Sequence, residues 1–245
     1  MKRAYYRPAG ISEHEARSAL GYVREIWLRP DRNSEPVSVV TSEAVEGHGL
    51  ADDCHADAFS PRQLLIADDS AYESLSLPSG SLRENLRIGS DIQLQPGMVI
   101  SVGASAVLWL TFACEVCSRL NNRRSGLMKE VGNQRGVLAR VLVGGNITVG
   151  DAVNLTGAIA RKWPASWRQR IAEVLSSVPD GHVVEYGHMA RLAGVPRSYC
   201  RVFPRTLRDM PGVQAHKAVS SGESPERPRW SGHDLFSRSV CPPAA

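Results

Sequence analysis

Two cysteines three residues apart, Cys114 and Cys117, are followed closely by Arg119, Arg123 and Arg124. A thiolate in that setting can ligate a soft metal, carry a persulfide or form a redox disulfide with its neighbour. The arginines supply a positive field, which lowers a thiol pKa and attracts anionic cofactors. One CxxC is not a structural zinc site, because such a site needs four ligands. Cys54 and His55 can add two more, although nothing in the spacing demands it. The competing reading makes both cysteines half-buried core residues, as free cysteines often are.

A second constellation lies far along the chain. Arg197, Arg201, Arg205 and Arg208 recur at spacings of four, four and three. On one helix that spacing sets four cations along a single face, suited to phosphates. The plain alternative is a solvated basic face. Between the two groups, Asp53 and His55 sit in the polar loop GHGLADDCHADAFSPR, where they can orient ligands or shuttle protons. Glu84-Asn85-Leu86 reads as a structural turn whose Asn satisfies backbone groups.

The elements that must hold these residues change character midway. Gly21–Leu28 alternates and stops at Pro30; Val37–Ala44 and Gln63–Ile66 read as further strands. Ala67–Leu75 reads as a short helix with Asp68 or Asp69 near its start. Short strands continue to Phe112, and Gly136–Val143 and Asn146–Leu155 flank the Gly144–Gly145 turn. This pattern predicts a mostly β, barrel-like domain over residues 1–157. Beyond it, Ser166–Val178 has helical spacing and stops at Pro179–Asp180–Gly181. A helix around Gly187–Ala193, a turn at Gly194–Val195–Pro196 and a helix from Ser198 predict a small helix-turn-helix domain over residues 158–222. Residues 223–245, rich in Ser, Pro and Arg, are expected to be poorly ordered.

The charge supports the division. Of 245 residues, 29 are Lys or Arg and 25 are Asp or Glu, net +4. Up to Leu155 there are 16 basic and 18 acidic residues, net −2; the remainder has 13 and 7, net +6. Any polyanionic partner is therefore expected at the second domain. A 42% hydrophobic composition supports real cores, no apolar run approaches the roughly 20 residues that span a bilayer, and a charged N-terminus argues against a signal peptide. A cytoplasmic protein with five free cysteines and no membrane partner is the expectation.

Motifs from about Val23 to Leu155 resemble a MOSC domain, the module at the C-terminal end of the pyridoxal-phosphate-linked molybdenum-cofactor sulfurases. They come in order: Gly49-Leu50-x-x-Asp53-x-His55, Arg62-Gln63, Glu84-Asn85-Leu86, the Gly97 and Gly103 turns, Cys117-x-x-Leu120, Gly136-x-x-Ala139-Arg140-Val141, and Gly144-Gly145 ahead of Gly150-Asp151. The resemblance implies molybdenum cofactor as ligand, with Cys117 as sulfur carrier or molybdenum ligand and a sulfur or electron donor protein as partner. It implies Asp53 and His55 beside Cys117 in catalysis, and Arg62, Asn85, Arg119 and Arg140 in cofactor binding. Asp52 stands where the family has Gly, and Val116 where it has Pro.

The stretch from Val178-Pro179-x-Gly181 through Tyr186-Gly187 to Ala193-Gly194-x-Pro196-Arg197 resembles the DNA-binding part of the O6-alkylguanine-DNA alkyltransferase family. The resemblance implies double-stranded DNA as partner, with Arg201 filling the space of an extruded nucleotide and Tyr186 turning the target phosphate. Arg197, Arg205, Arg208 and His216 would complete the interface. The acceptor Cys of that family is Ala215 here, so direct alkyl transfer by that route is chemically excluded. What remains resembles alkyltransferase-like proteins that bind and flip O6-alkylguanine without repairing it. Pro204, inside the expected recognition helix, predicts a kink. Two functions stand open: a molybdenum or sulfur enzyme brought to nucleic acid, and a non-enzymatic lesion sensor whose β domain is a structural or partner-binding module.

Overall fold

Alternating side chains bury Gly21, Val23 and Ile26, and Gly21–Leu28 forms β1. The alternation slips between Val23 and Ile26 because the register with the next strand shifts between Val23 and Glu25, a bulge that sharpens the bend. The computed structural model describes residues 19–222, 226–237 and 240–241. They divide into two units: 19–58 and 62–162 with Cys241, then 59–61 and 163–240 as far as described.

In the first unit, β1 pairs with β6 (Leu86–Ser90) on one side and β11 (Ala152–Ala160) on the other. From β11 the order runs through β7 (Met98–Val102), β8 (Ala106–Ala113), β9 (Val137–Val143) and β5 (Leu64–Asp68) back to β6, closing seven strands into a barrel. The β5–β6 pair is parallel, so a crossover must join its ends. That crossover carries α1 (Asp69–Leu75), which Asp68 caps by accepting from the Ser70 N–H at 2.9 Å. Closure needs bare backbone at two points. A Cβ on Gly21 would lie 2.1 Å from the Gly89 carbonyl oxygen, and one on Gly136 2.3 Å from that of Ile66.

The run Val37–Ala44 is two strands rather than one. Val37–Val39 (β2) pairs with β1, and Thr41–Val45 (β3) leaves for a small sheet with Gly49–Leu50 (β4) and Gly145–Thr148 (β10). Val40, 71% exposed, marks the crossing between sheets. The run Asn146–Leu155 is likewise divided between β10 and β11, because Gly150 takes a positive φ of 96°. Strand alternation alone does not distinguish one long strand from two that change partners.

The barrel core is aliphatic, built on residues such as Ile26, Ile66, Leu86, Ile100, Leu108 and Val141. A second buried cluster joins Ala71 and Tyr72 of α1 to Leu82, Leu120, Leu127 and Val131. It pins the segment after β8: a 3-10 turn at Ser118–Asn122 and then α2 (Leu127–Glu130).

The second unit begins with α3 (Trp167–Ser177), whose Ile171, Val174 and Leu175 are buried as the spacing predicts. Then come β12 (Val184–Glu185), α4 (Tyr186–Leu192), α5 (Phe203–Arg208) and β13 (Ala218–Val219), which pairs parallel with β12. Arg170, wholly buried, ties this unit together: Nε donates to Ala193 O at 2.8 Å, and Nη1 to Pro164 O and Ala165 O at 3.1 and 2.6 Å.

The expected recognition helix is broken. Arg197–Arg201 forms a 3-10 turn, and α5 starts afresh at Phe203. Pro204 therefore lies in the first turn of a new helix, where its missing N–H is no loss, rather than kinking a continuous one. The four arginines sit on two segments, not along one helical face. Of the segment expected to be poorly ordered, residues 226–237 are described and packed. Trp230, Leu235 and Phe236 are buried, and Trp230 N–H donates to Val183 O at 2.7 Å. Residues 223–225, 238–239 and 242–245 lie outside the described residues.

Candidate functional site

Cys117 caps the 3-10 turn that follows β8, with extended backbone and no side-chain cap bond. Leu120, wholly buried, anchors the turn, so the Cys-x-x-Leu spacing sends one side chain into the second core cluster and leaves the thiol half-exposed. The two cysteines are therefore unequal. Cys114 is buried, its N–H donating to Gly136 O at 2.9 Å, and both thiols are free. The half-buried-core reading suits Cys114 and not its neighbour.

Asp53 is the hub of the Gly49–His55 motif. Its carboxylate is inaccessible and accepts from Arg29 N–H, His55 N–H and Asn85 Nδ2, each at 2.9 Å, and meets His55 Nδ1 at 2.9 Å. Burial raises its pKa, but the hydrogen bonds from the His55 ring and from the Arg29 and His55 amides outweigh burial and hold the carboxyl below its ordinary value. Asp53 thus orients His55, whose ring is 39% exposed and keeps Nε2 available. Asp52, at φ +60°, takes the left-handed backbone that a glycine would accept without strain.

Asn85 is buried, and its amide is fully engaged: Oδ1 accepts from Leu65 N–H at 3.0 Å, while Nδ2 donates to Trp27 O and Asp53 Oδ2. That leaves its side chain locking β1, β5 and the Asp53 turn together, with no donor left for a cofactor. Arg140 donates to Ala58 O at 2.9 Å, and burial pushes its pKa down to about 10. Arg62 is half-buried, and Arg119 is exposed two residues beyond Cys117.

Asp53, Cys54 and His55 offer three donor atoms within 4.8 Å of one another. Among the described residues neither Cys114 nor Cys117 joins that group, so the four-ligand zinc option is not assembled. Burial also raises the Cys54 pKa, which keeps that thiol protonated.

The residues that sequence reasoning missed are arginines and a carboxyl. Arg29, at the end of β1, is 2% exposed, and its Nε and Nη2 have no hydrogen-bond partner among the described residues. Arg83 holds φ +60°, costly for a side chain with a Cβ. Its pKa is lowered by burial and then by the charges of Arg29, Arg119, Arg123 and Arg135. Glu84 is buried with Tyr72 OH on Oε1, and burial raises its pKa. A strand-end Arg before Pro reads as solvated surface, so no sequence signal marked Arg29.

In the second unit Arg197, Arg201, Arg205 and Arg208 are all exposed. Asp209 lies 3.8 Å from Arg205 and 4.0 Å from Arg208, too solvated to neutralise them. Tyr186 is half-buried edge-on to Phe203, with ring centroids 5.8 Å apart, and His216 is exposed. A hollow of about 550 Å³ beside Gln214 is lined by Gln169, Glu173 and Pro211 and carries neither a thiol nor an arginine.

The first unit is thus a closed seven-stranded barrel that presents a half-exposed free thiol two residues before Arg119. Residues 53–154 match the family model of the MOSC domain. The match ends before Trp163, where the main segment of the second unit begins. Among solved structures the chain is similar to the YUAD protein from Bacillus subtilis, at 15% identity over 54% of this chain and 93% of that one, TM-score 0.47. It is also similar to YiiM from Escherichia coli, at 17% identity over 78% and 94%, TM-score 0.44. No curated protein matches the chain. Among the described residues no helix is long and apolar enough to cross a membrane.

Proposed function

We propose that the MOSC domain handles sulfur or molybdenum cofactor through Cys117, as sulfur carrier or molybdenum ligand, and that the second unit holds double-stranded DNA. The carrying observation is Cys117 itself: half-exposed, unbonded, and held at a strand end by buried Leu120 beside Arg119. A molybdenum cofactor suits this donor set, since a soft thiolate matches a thiophilic metal and the orphaned guanidinium nitrogens match an anionic pterin phosphate. When bound, that group supplies atom-transfer and two-electron chemistry. The chain's own part is to hold it: Cys117 at the metal or sulfur, arginines at the anionic end, and His55, steadied by Asp53, moving a proton at Nε2.

The DNA half rests on the four exposed arginines, which phosphates would complete. With Ala215 at the acceptor position, this unit would present an O6-alkylguanine rather than repair it. That absence of a nucleophile also favours a second, non-enzymatic reading, a lesion sensor with the barrel as structural or partner-binding module.

Metal and labile-sulfur analysis of protein purified under reducing conditions separates the two. The first reading expects molybdenum or persulfide in the wild type and its loss in Cys117→Ser with DNA binding intact; neither group in the wild type overturns it. For the second unit, tighter binding to duplex containing O6-methylguanine is expected, with the preference gone in Arg201→Ala. Equal affinity for both duplexes would reduce the interaction to generic phosphate contact.

A further inference from the structure

Asp53, Cys54 and His55 are consecutive, yet their side chains converge, because the backbone reverses around them. Asp53 N–H donates to Leu50 O at 3.3 Å, and Ala56 N–H to Asp53 O at 3.0 Å. Asp52, at φ +60°, makes the reversal, and Cys54 N–H is pinned to Arg29 O at 2.8 Å. A carboxylate oxygen, a thiol and an imidazole nitrogen are thereby brought within 4.8 Å of one another. His55 Nδ1 stands between the other two, 2.9 Å from Asp53 Oδ1 and 3.4 Å from Cys54 Sγ.

Orienting the imidazole takes only Asp53, and the thiol beside Nδ1 adds nothing to that task. It does complete a set of metal donors. A tetrahedral zinc ion about 2.3 Å from sulfur and about 2.1 Å from nitrogen holds those atoms roughly 3.6 Å apart. Sγ and Nδ1 already stand at 3.4 Å. Replacing the Nδ1–H···Oδ1 hydrogen bond by two bonds to an ion asks the ring and carboxylate to part by only about half an ångström. Asp53 is braced for this by its other oxygen. Oδ2 accepts from Arg29 N–H and Asn85 Nδ2, both at 2.9 Å, which leaves Oδ1 to the His55 N–H and one further partner. The carboxylate is inaccessible, whereas the His55 ring is 39% exposed and Cys54 half-exposed, so the donors can be reached from the solvent side. A carboxylate and a thiolate together cancel the charge of a divalent cation, and sulfur with imidazole selects zinc over magnesium or calcium.

We propose that Asp53, Cys54 and His55 bind one thiophilic divalent cation, zinc foremost, with the fourth position open to water. As the ion binds, the Cys54 thiol gives its proton to solvent, and the ring proton leaves Nδ1 while Nε2 takes one up. Nε2 then donates rather than accepts, so filling the site suspends the proton role given to His55. Cys117 takes no part, and the site stands or falls apart from the reading of that thiol.

Molybdenum and labile sulfur are first measured on the full-length protein, which is then freed of metal with a chelator. It is titrated anaerobically with cobalt(II), then zinc, in buffer without thiols. One equivalent of cobalt is expected to bind, with a thiolate-to-cobalt charge-transfer band in the near ultraviolet and the intense visible bands of tetrahedral cobalt, both lost on adding zinc. Cys54→Ser should abolish the charge-transfer band, and His55→Gln should weaken binding about tenfold or more. Cys117→Ser should bind cobalt like the wild type. No charge-transfer band in the wild type, or a band that survives Cys54→Ser, would overturn the site. Protein that shows the band yet carries neither molybdenum nor labile sulfur keeps this site and sinks only the role given to Cys117.

Discussion

Each unit buries an arginine almost completely, and the two could hardly be treated more differently. Arg170 in the second unit gives its nitrogens to the carbonyls of Ala193, Pro164 and Ala165, so its charge is solvated by backbone. Arg29 in the barrel has Nε and Nη2 with no partner among the described residues, next to other cations. Burial alone therefore does not tell a structural arginine from a site arginine. What separates them is whether the protein itself supplies the acceptors.

If that distinction is right, truncating the two should move stability in opposite directions. Arg170→Met strands three carbonyls and should cost about 3 kcal/mol or more in urea unfolding. A loss below about 1 kcal/mol would mean the carbonyls find water and the contrast is hollow.

Asp53→Asn should cost about 2 kcal/mol, because an amide donor would face the N–H groups of Arg29 or Asn85. Its pH dependence has a definite sign. A folded-state carboxyl pKa below the unfolded one contributes stability above the unfolded value that is lost as pH falls through the folded value. Glu84, raised by burial, works in the opposite sense: its contribution is present at low pH and lost as pH rises through its folded value. Comparing wild type and Asp53→Asn from pH 7 to pH 3 isolates the Asp53 part, and the variant should lose less stability on acidification.

Arg29→Met should gain about 1 kcal/mol, since a buried cation with two unpartnered nitrogens is replaced by an apolar side chain. A loss comparable with that of Arg170→Met would break the comparison outright. Smallest of all, Cys117→Ser should change stability by less than about 0.5 kcal/mol. In a timed alkylation of the native protein Cys117 should react well ahead of buried Cys114, and the reverse order would contradict the burial difference.

Much of the barrel was legible in residue order. Alternation marked β1 to the residue, Asp68 announced the start of α1, and helical spacing located α3. The errors share a cause. Val37–Ala44 and Asn146–Leu155 each look like one strand, because alternation reports which face is buried and not which partner is paired. The arginines from Arg197 to Arg208 look like one helix, because spacing carries no sign that the chain turns at Val202 and restarts at Phe203 ahead of Pro204.

The sequence by itself determined the composition break, the motifs that match the MOSC family model over residues 53–154, and the Cys-x-x-Leu spacing behind Cys117. Only the tertiary structure decided that Asn85 serves the backbone, that Asp53 is a saturated hub, and that Arg29 is buried with Nε and Nη2 lacking acceptors among the described residues. The reason is physical: residue type sets how many hydrogen bonds and charges a side chain offers. How many are already satisfied depends on neighbours distant in sequence, and only folding brings those together.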